Sequence, residues 1–201
     1  MINSTRSFSA LPFLVCFALA ACGGKKDAPA DTSSVAAIDS AAASSTTASG
    51  PAMSDASILA KEYSGDSAEV VIGQYARTHA RDAGVKSYAK LLVDDHGKGE
   101  REVGALAKKL SIAPQPPADD TAASETAHTL AHLGSLKGRD FDTAFVAHEI
   151  ADHNTDIADA KKAAAVAHNP EVKTLVEKSI PELQKHLDKA QALQKKLAPN
   201  A

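Results

Sequence analysis

The sequence predicts an all-α protein built on a bundle of four long helices. Three observations carry that expectation. From about Asp55 onward, apolar residues recur at three- and four-residue spacing, the period of a helix with one buried face. No stretch of that region alternates in the two-residue manner of a strand. Apolar residues make up 44% of the 201, with much alanine, no tryptophan and only 4% aromatics. A core of such small side chains comes from closely packed helices, not from a few large anchors. The net charge of -3 gives no sign of a basic surface for nucleic acid.

The chain opens with an address. Arg6 supplies a positive start and Phe8 to Ala21 an apolar run too short for a mature transmembrane helix. Leu19-Ala20-Ala21-Cys22 resembles the lipobox of bacterial lipoproteins. The expectation is a signal peptide over residues 1–21, cleaved to leave lipid-bearing Cys22 as the membrane anchor. Gly23 follows, where an aspartate would resemble an inner-membrane retention signal, so the expected location is the periplasmic face of the outer membrane. Cys22 would then be the sole cysteine, and no intrachain disulfide is possible. Residues 22–54 are rich in alanine, serine and threonine and read as a disordered tether. The helical domain is expected over residues 55–198.

The first helix is expected from Asp55 to about Ala80, with Leu59, Glu62, Asp66, Glu69, Ile72 and Ala76 at helical spacing. Ser64-Gly65-Asp66 is a weak point in it. Glu69 sits close to the apolar side, where a carboxylate needs a partner, and Gly73 lets another backbone come close. Asp82 can cap the second helix, which runs to about Leu110. His96 stands on its stripe between Leu92 and Val103, and Gly97-Lys98-Gly99 weakens it locally. Pro114, Pro116 and Pro117 mark a clear break. A short helix, about Thr121 to Leu136, follows. The third long helix begins with Asp140 as a cap and ends near His168; Val146, Ile150, His153 and Ile157 form its stripe. Asn169-Pro170-Glu171 then gives a cap, a proline at the first helical position and an acid in the first turn. The last helix carries Leu183, His186, Leu187 and Ala190 on its inner face, with Pro181 expected to kink it. The long connection between the second and third long helices favours a ferritin-like bundle, with its one long crossover, over a simple up-down-up-down bundle.

Several runs resemble a known family. Ala68-Glu69-Val70-Val71-Ile72-Gly73, the stretch from Val85 to Asp94-Asp95-His96, Phe141 to Val146, Asp152-His153, and Ile180-Pro181-Glu182-Leu183-Gln184-Lys185-His186-Leu187 are similar to the bacterial domain-of-unknown-function family 4142. The resemblance covers about Asp55 to Leu197. It implies an exported protein of ferritin-like fold and supplies no activity. Leu92 replaces a frequent methionine and Ile180 a usual leucine; neither change touches a histidine.

Three histidines lean inward from three helices. His96 is followed by Glu100 four residues on; His153 and His186 are preceded by Glu149 and Glu182 at the same interval, so each pair shares a helix face. Imidazole with carboxylate suits zinc, iron or copper. One expectation is therefore an interior metal centre of Glu69, His96, His153 and His186, with Glu149 and Glu182 secondary, serving metal handling or envelope stress. The alternative is a structural or protein-interaction module, its partner unidentified, in which the histidines only specify packing and Asp95 and Asp152 orient them. A pH-responsive core is a third reading. Catalysis is not expected: the four long helices carry no Glu-x-x-His step, and there is no nucleophile arrangement and no phosphate loop. His128 and His132, four apart on the crossover, are a weaker metal pair.

Overall fold

The computed structural model describes residues 53–198. The expected signal peptide, Cys22 and nearly all of the tether lie outside the described residues. Five helices follow in order: α1 (Asp55–His79), α2 (Ala83–Leu110), α3 (Ala122–Gly134), α4 (Gly138–Val166) and α5 (Pro170–Leu197). The described residues contain no strand, and no helix among them is long and apolar enough to cross a membrane.

Local chemistry sets the helix boundaries. Ser54, expected to end the tether, instead caps α1: its hydroxyl accepts from Ser57 N, and Ser57 Oγ accepts from Ser54 N. Asp82 accepts from Gly84 N and Val85 N, and Asn169 accepts from Glu171 N at the start of α5. Both caps were legible as such. α1 runs unbroken through the Ser64-Gly65-Asp66 weak point, where His96 holds Asp66 against α2. One expectation fails. Asp140 does not cap α4; the helix begins two residues earlier at Gly138, whose φ is +60°, and Asp140 lies in its first turn. α5 runs unbroken through Pro181.

Hydrogen bonds at the two ends fix the topology. Gln115 N donates to Ala56 O at 3.2 Å, so α2 finishes beside the start of α1. Asp142, near the start of α4, accepts from Arg81 N and Asp82 N, both at 2.8 Å, in the turn between α1 and α2. At the opposite end Asp55 accepts from His168 N at 2.9 Å and Asn169 N at 3.0 Å, in the turn between α4 and α5. Arg139 donates to the carbonyl of Leu197. Helices α1 and α5 therefore run one way and α2 and α4 the other. The molecule is two antiparallel hairpins, and residues 111–137, carrying α3, traverse the bundle between them. That is the single-long-crossover connectivity expected from the sequence.

Each hairpin thus clasps the turn of the other through one carboxylate. Asp142 is 2% exposed, so Asp142→Ala strands two backbone donors of the α1–α2 turn. The expected loss is roughly 1–3 kcal/mol in urea unfolding, with Asp142→Asn recovering part of it; an unchanged midpoint would count against the clasp.

The core is divided in two. One apolar cluster, at the α1–α2 turn, contains Ile72, Tyr88, Leu92, Leu133, Phe141 and Phe145. The other, toward the α4–α5 turn, contains Ile58, Leu59, Val103, Ile157, Val172 and Leu183. Gly73 brings α1 and α2 together as expected: a Cβ there would meet Val93 Cγ2 at 2.9 Å and the Ala89 carbonyl at 3.1 Å. Between the clusters, every long helix contributes a buried polar residue: Glu69 from α1, His96 from α2, Glu149 and His153 from α4, and His186 from α5.

Candidate metal centre

His96, His153 and His186 replace core aliphatics at matching heights on α2, α4 and α5. Their stripe neighbours are buried, Leu92 and Val103 about His96, Val146 and Ile157 about His153, and Leu183 and Leu187 about His186, which pins the backbone on both sides of each imidazole. The rings converge: centroids are 5.7 Å apart for His96–His153, 5.1 Å for His96–His186 and 5.4 Å for His153–His186. One nitrogen from each lies within 4.8 Å of the others.

The outer nitrogens are all held by oxygens. His153 Nδ1 donates to the Glu149 carbonyl at 3.0 Å. His186 Nε2 donates to Asp95 Oδ2 at 3.0 Å, and His96 Nδ1 to Asp66 Oδ1 at 2.8 Å. A carbonyl or ionised carboxylate only accepts, so each of these nitrogens carries the ring's proton. The inner nitrogens are then bare lone pairs. His96 Nε2 is buried without a partner, and His153 Nε2 faces His186 Nδ1 at 3.3 Å.

Two facing lone pairs repel unless a second proton or a cation lies between them. Protonation is opposed by the surroundings. Burial, with the neighbouring His96 and His186, pushes His153 down to about 3. Burial also lowers His186, against the pull of Asp95. A cation suits the gap better. Two imidazoles on a tetrahedral metal, with bonds of about 2.0–2.1 Å, stand about 3.3 Å apart. The supporting oxygens are the outer partners that fix tautomer and ring direction around metal-bound histidine. For Asp95, burial raises the carboxylate pKa, but the His186 hydrogen bond and the charges of His186 and Lys185 outweigh it, leaving the pKa lowered. Asp66 is shifted the other way by burial, only partly offset by His96.

Gly99 gives Asp66 its room: a Cβ at that position would fall 2.5 Å from Asp66 Oδ2. The glycine that weakens α2 locally is therefore also the one that lets α1 brace His96. A cavity of about 480 Å³ reaches the centre, lined by Asp66, Asp95, His96 and His186 among others.

The chain matches the family described as "Domain of unknown function (DUF4142)" over residues 40–193. It belongs to DUF4142. No curated protein matches the chain. Among solved structures, one described as "CopM in the Cu(II)-bound form" resembles it with a TM-score of 0.57 and 15% identity, over 72% of this chain and 98% of that one. At that identity the likeness speaks for the fold.

The segment matching DUF4142 contains every residue singled out for the centre, but the structure sorts them. His96, His153 and His186 meet. Glu69 does not join that trio; its carboxylate lies within reach of His148 and Glu149 on one side and of Asp152 and His153 on the other. Glu149 serves His153 through its backbone carbonyl, with its carboxylate 3.7 Å from Nδ1. Glu182 is exposed on the cavity wall, and Glu100 accepts from Ser67 rather than serving His96. Sequence reasoning missed His148 and the role of Asp66. Asp66 shares the α1 stripe with Glu69, a signal that could have found it; nothing local marks His148. His128 is exposed on α3 and faces a cleft with His148 and Asp152.

Proposed function

We propose that this DUF4142 protein is a transition-metal binding protein whose centre is His96, His153 and His186. The observation that carries the reading is the 3.3 Å approach of His153 Nε2 and His186 Nδ1, both bare because their other nitrogens are engaged. Imidazole ligands suit copper, zinc and iron. The likeness to a protein solved with Cu(II) bound supports testing copper first. On this reading the lipidated Cys22 and its tether hold the bundle on the periplasmic face of the outer membrane, where it sequesters or passes on metal. No step of catalysis is required.

The test is a titration of metal-stripped protein with Cu(II) and Zn(II), read by calorimetry and by thermal stability. One equivalent should bind tightly and raise the melting temperature. Binding that survives alanine at all three histidines would leave the packing-module alternative as the better account. A finer prediction concerns the braces: Asp66→Asn and Asp95→Asn should each weaken affinity by roughly 10–100-fold, the range for outer partners of metal-bound histidine. Equal affinity in both variants would mean the carboxylates do not orient the rings.

A further inference from the structure

Next to the three-histidine centre lies a second polar group that it does not use. Glu69 on α1 and Glu149 on α4 are 2% and 0% exposed, and none of their four carboxylate oxygens accepts a hydrogen bond from an N–H or hydroxyl donor among the described residues. Their one ion-pair contact among the described residues is Glu149 Oε2 with His153 Nδ1 at 3.7 Å, and that imidazole is held neutral. Buried carboxylates in such surroundings must either be protonated or find a cation. His148 adds a third free atom: its Nε2 is also buried without a partner. One ligand atom from each of Glu69, His148 and Glu149 lies within 4.8 Å of the others, and the same holds for Glu69, Asp152 and His153.

We propose that Glu69, Glu149 and His148, with Asp152 beside them, form a second cation site that takes a divalent metal of the manganese(II) or iron(II) class. The donors decide the class. Carboxylate oxygens in the majority with a single imidazole favour harder ions than a three-imidazole set does. Access is built in. Glu69, His148 and Asp152 line the cavity that reaches the histidines, and His148 and Asp152 also line an open cleft with Glu125, His128 and Thr129 of α3. The site goes beyond the three-histidine reading and stands whether or not copper binds there.

The experiment is an Mn(II) titration of the purified, metal-stripped protein, with free Mn(II) read by its electron paramagnetic resonance signal. One Mn(II) should bind per chain. Binding should persist in His96→Ala/His186→Ala and disappear in Glu69→Gln/Glu149→Gln, while the glutamine variant keeps its Cu(II) equivalent. No bound Mn(II) in the wild type would overturn the proposal and show that protons satisfy the pair. Loss of Mn(II) in the histidine variant would overturn it too, by placing the ion among the imidazoles. Should the glutamine variant fail a cooperative-melting check, Asp152→Asn decides: a Mn(II) affinity at least about tenfold weaker is expected, and an unchanged one overturns the site. Loss of Cu(II) binding alone bears on the three-histidine centre and leaves this one standing.

Discussion

His153→Ala should abolish tight copper or zinc binding at the three-histidine centre and, with it, the metal-induced rise in melting temperature. His153 is 0% exposed and forms one corner of the imidazole triangle, 3.3 Å from the His186 nitrogen it faces. Removing it takes away a ligand outright, so the loss should exceed the roughly 10–100-fold expected from an outer partner. At a free metal concentration about 100 times the dissociation constant, wild-type protein gains about 2.7 kcal/mol from binding; the variant should gain none. Competition against a chelator of known affinity gives the first quantity and thermal melts the second. Equal affinities would remove His153 from the centre.

Metal-free protein should lose stability as pH rises above neutrality. Burial first, and neighbouring acids second, push Glu62 up to about 7 from 4.5 and Asp156 up to about 8 from 3.8. The folded state then holds protons that the unfolded chain has released, so stability falls as pH climbs through the folded values. Burial raises Glu69 and Glu149 as well, with the same sign. His153 acts oppositely. Held down to about 3 from 6.5, it makes stability grow with pH inside that window and contributes nothing further above it. Between pH 6.5 and about 8.5 the carboxylates act alone, with a slope of up to about 1.4 kcal/mol per pH unit for each group titrating. Urea midpoints across that range should fall, and Glu62→Gln with Asp156→Asn should flatten the decline. A flat wild-type profile would mean these acids are solvated.

The sequence made much of this architecture legible because the helices obey local rules. Asp82 and Asn169 announce their helices by capping, and Pro114 to Pro117 announce the crossover. The inward faces of His96, His153 and His186 follow from periodicity alone, since each stands where an aliphatic residue belongs. What periodicity cannot supply is azimuth between helices. Glu69 shares the depth of the three histidines yet turns toward His148 and Glu149, and only the packing of α1 on α4 decides that. The same holds for Asp66 and Asp95. Both are polar residues near helix stripes, and their partners, 30 and 91 positions away, are set by tertiary contact. Glu182 shows a further limit: i to i+4 spacing puts it near His186 along the helix but does not reveal that its side chain is exposed on the cavity wall.

The reciprocal clasps of Asp55 and Asp142 have a bearing on the centre they bracket. His96 and its brace Asp66 belong to the first hairpin, His153 and His186 to the second, and Asp95 reaches across to hold His186. Neither hairpin owns a complete ligand set. The centre comes into being only when the two halves are seated against each other across the two shared apolar clusters, with a long covalent leash between them and a carboxylate clasp at each end. A metal ion bound there is a rivet through the seam, and the free energy of holding the ion and of closing the bundle become one quantity.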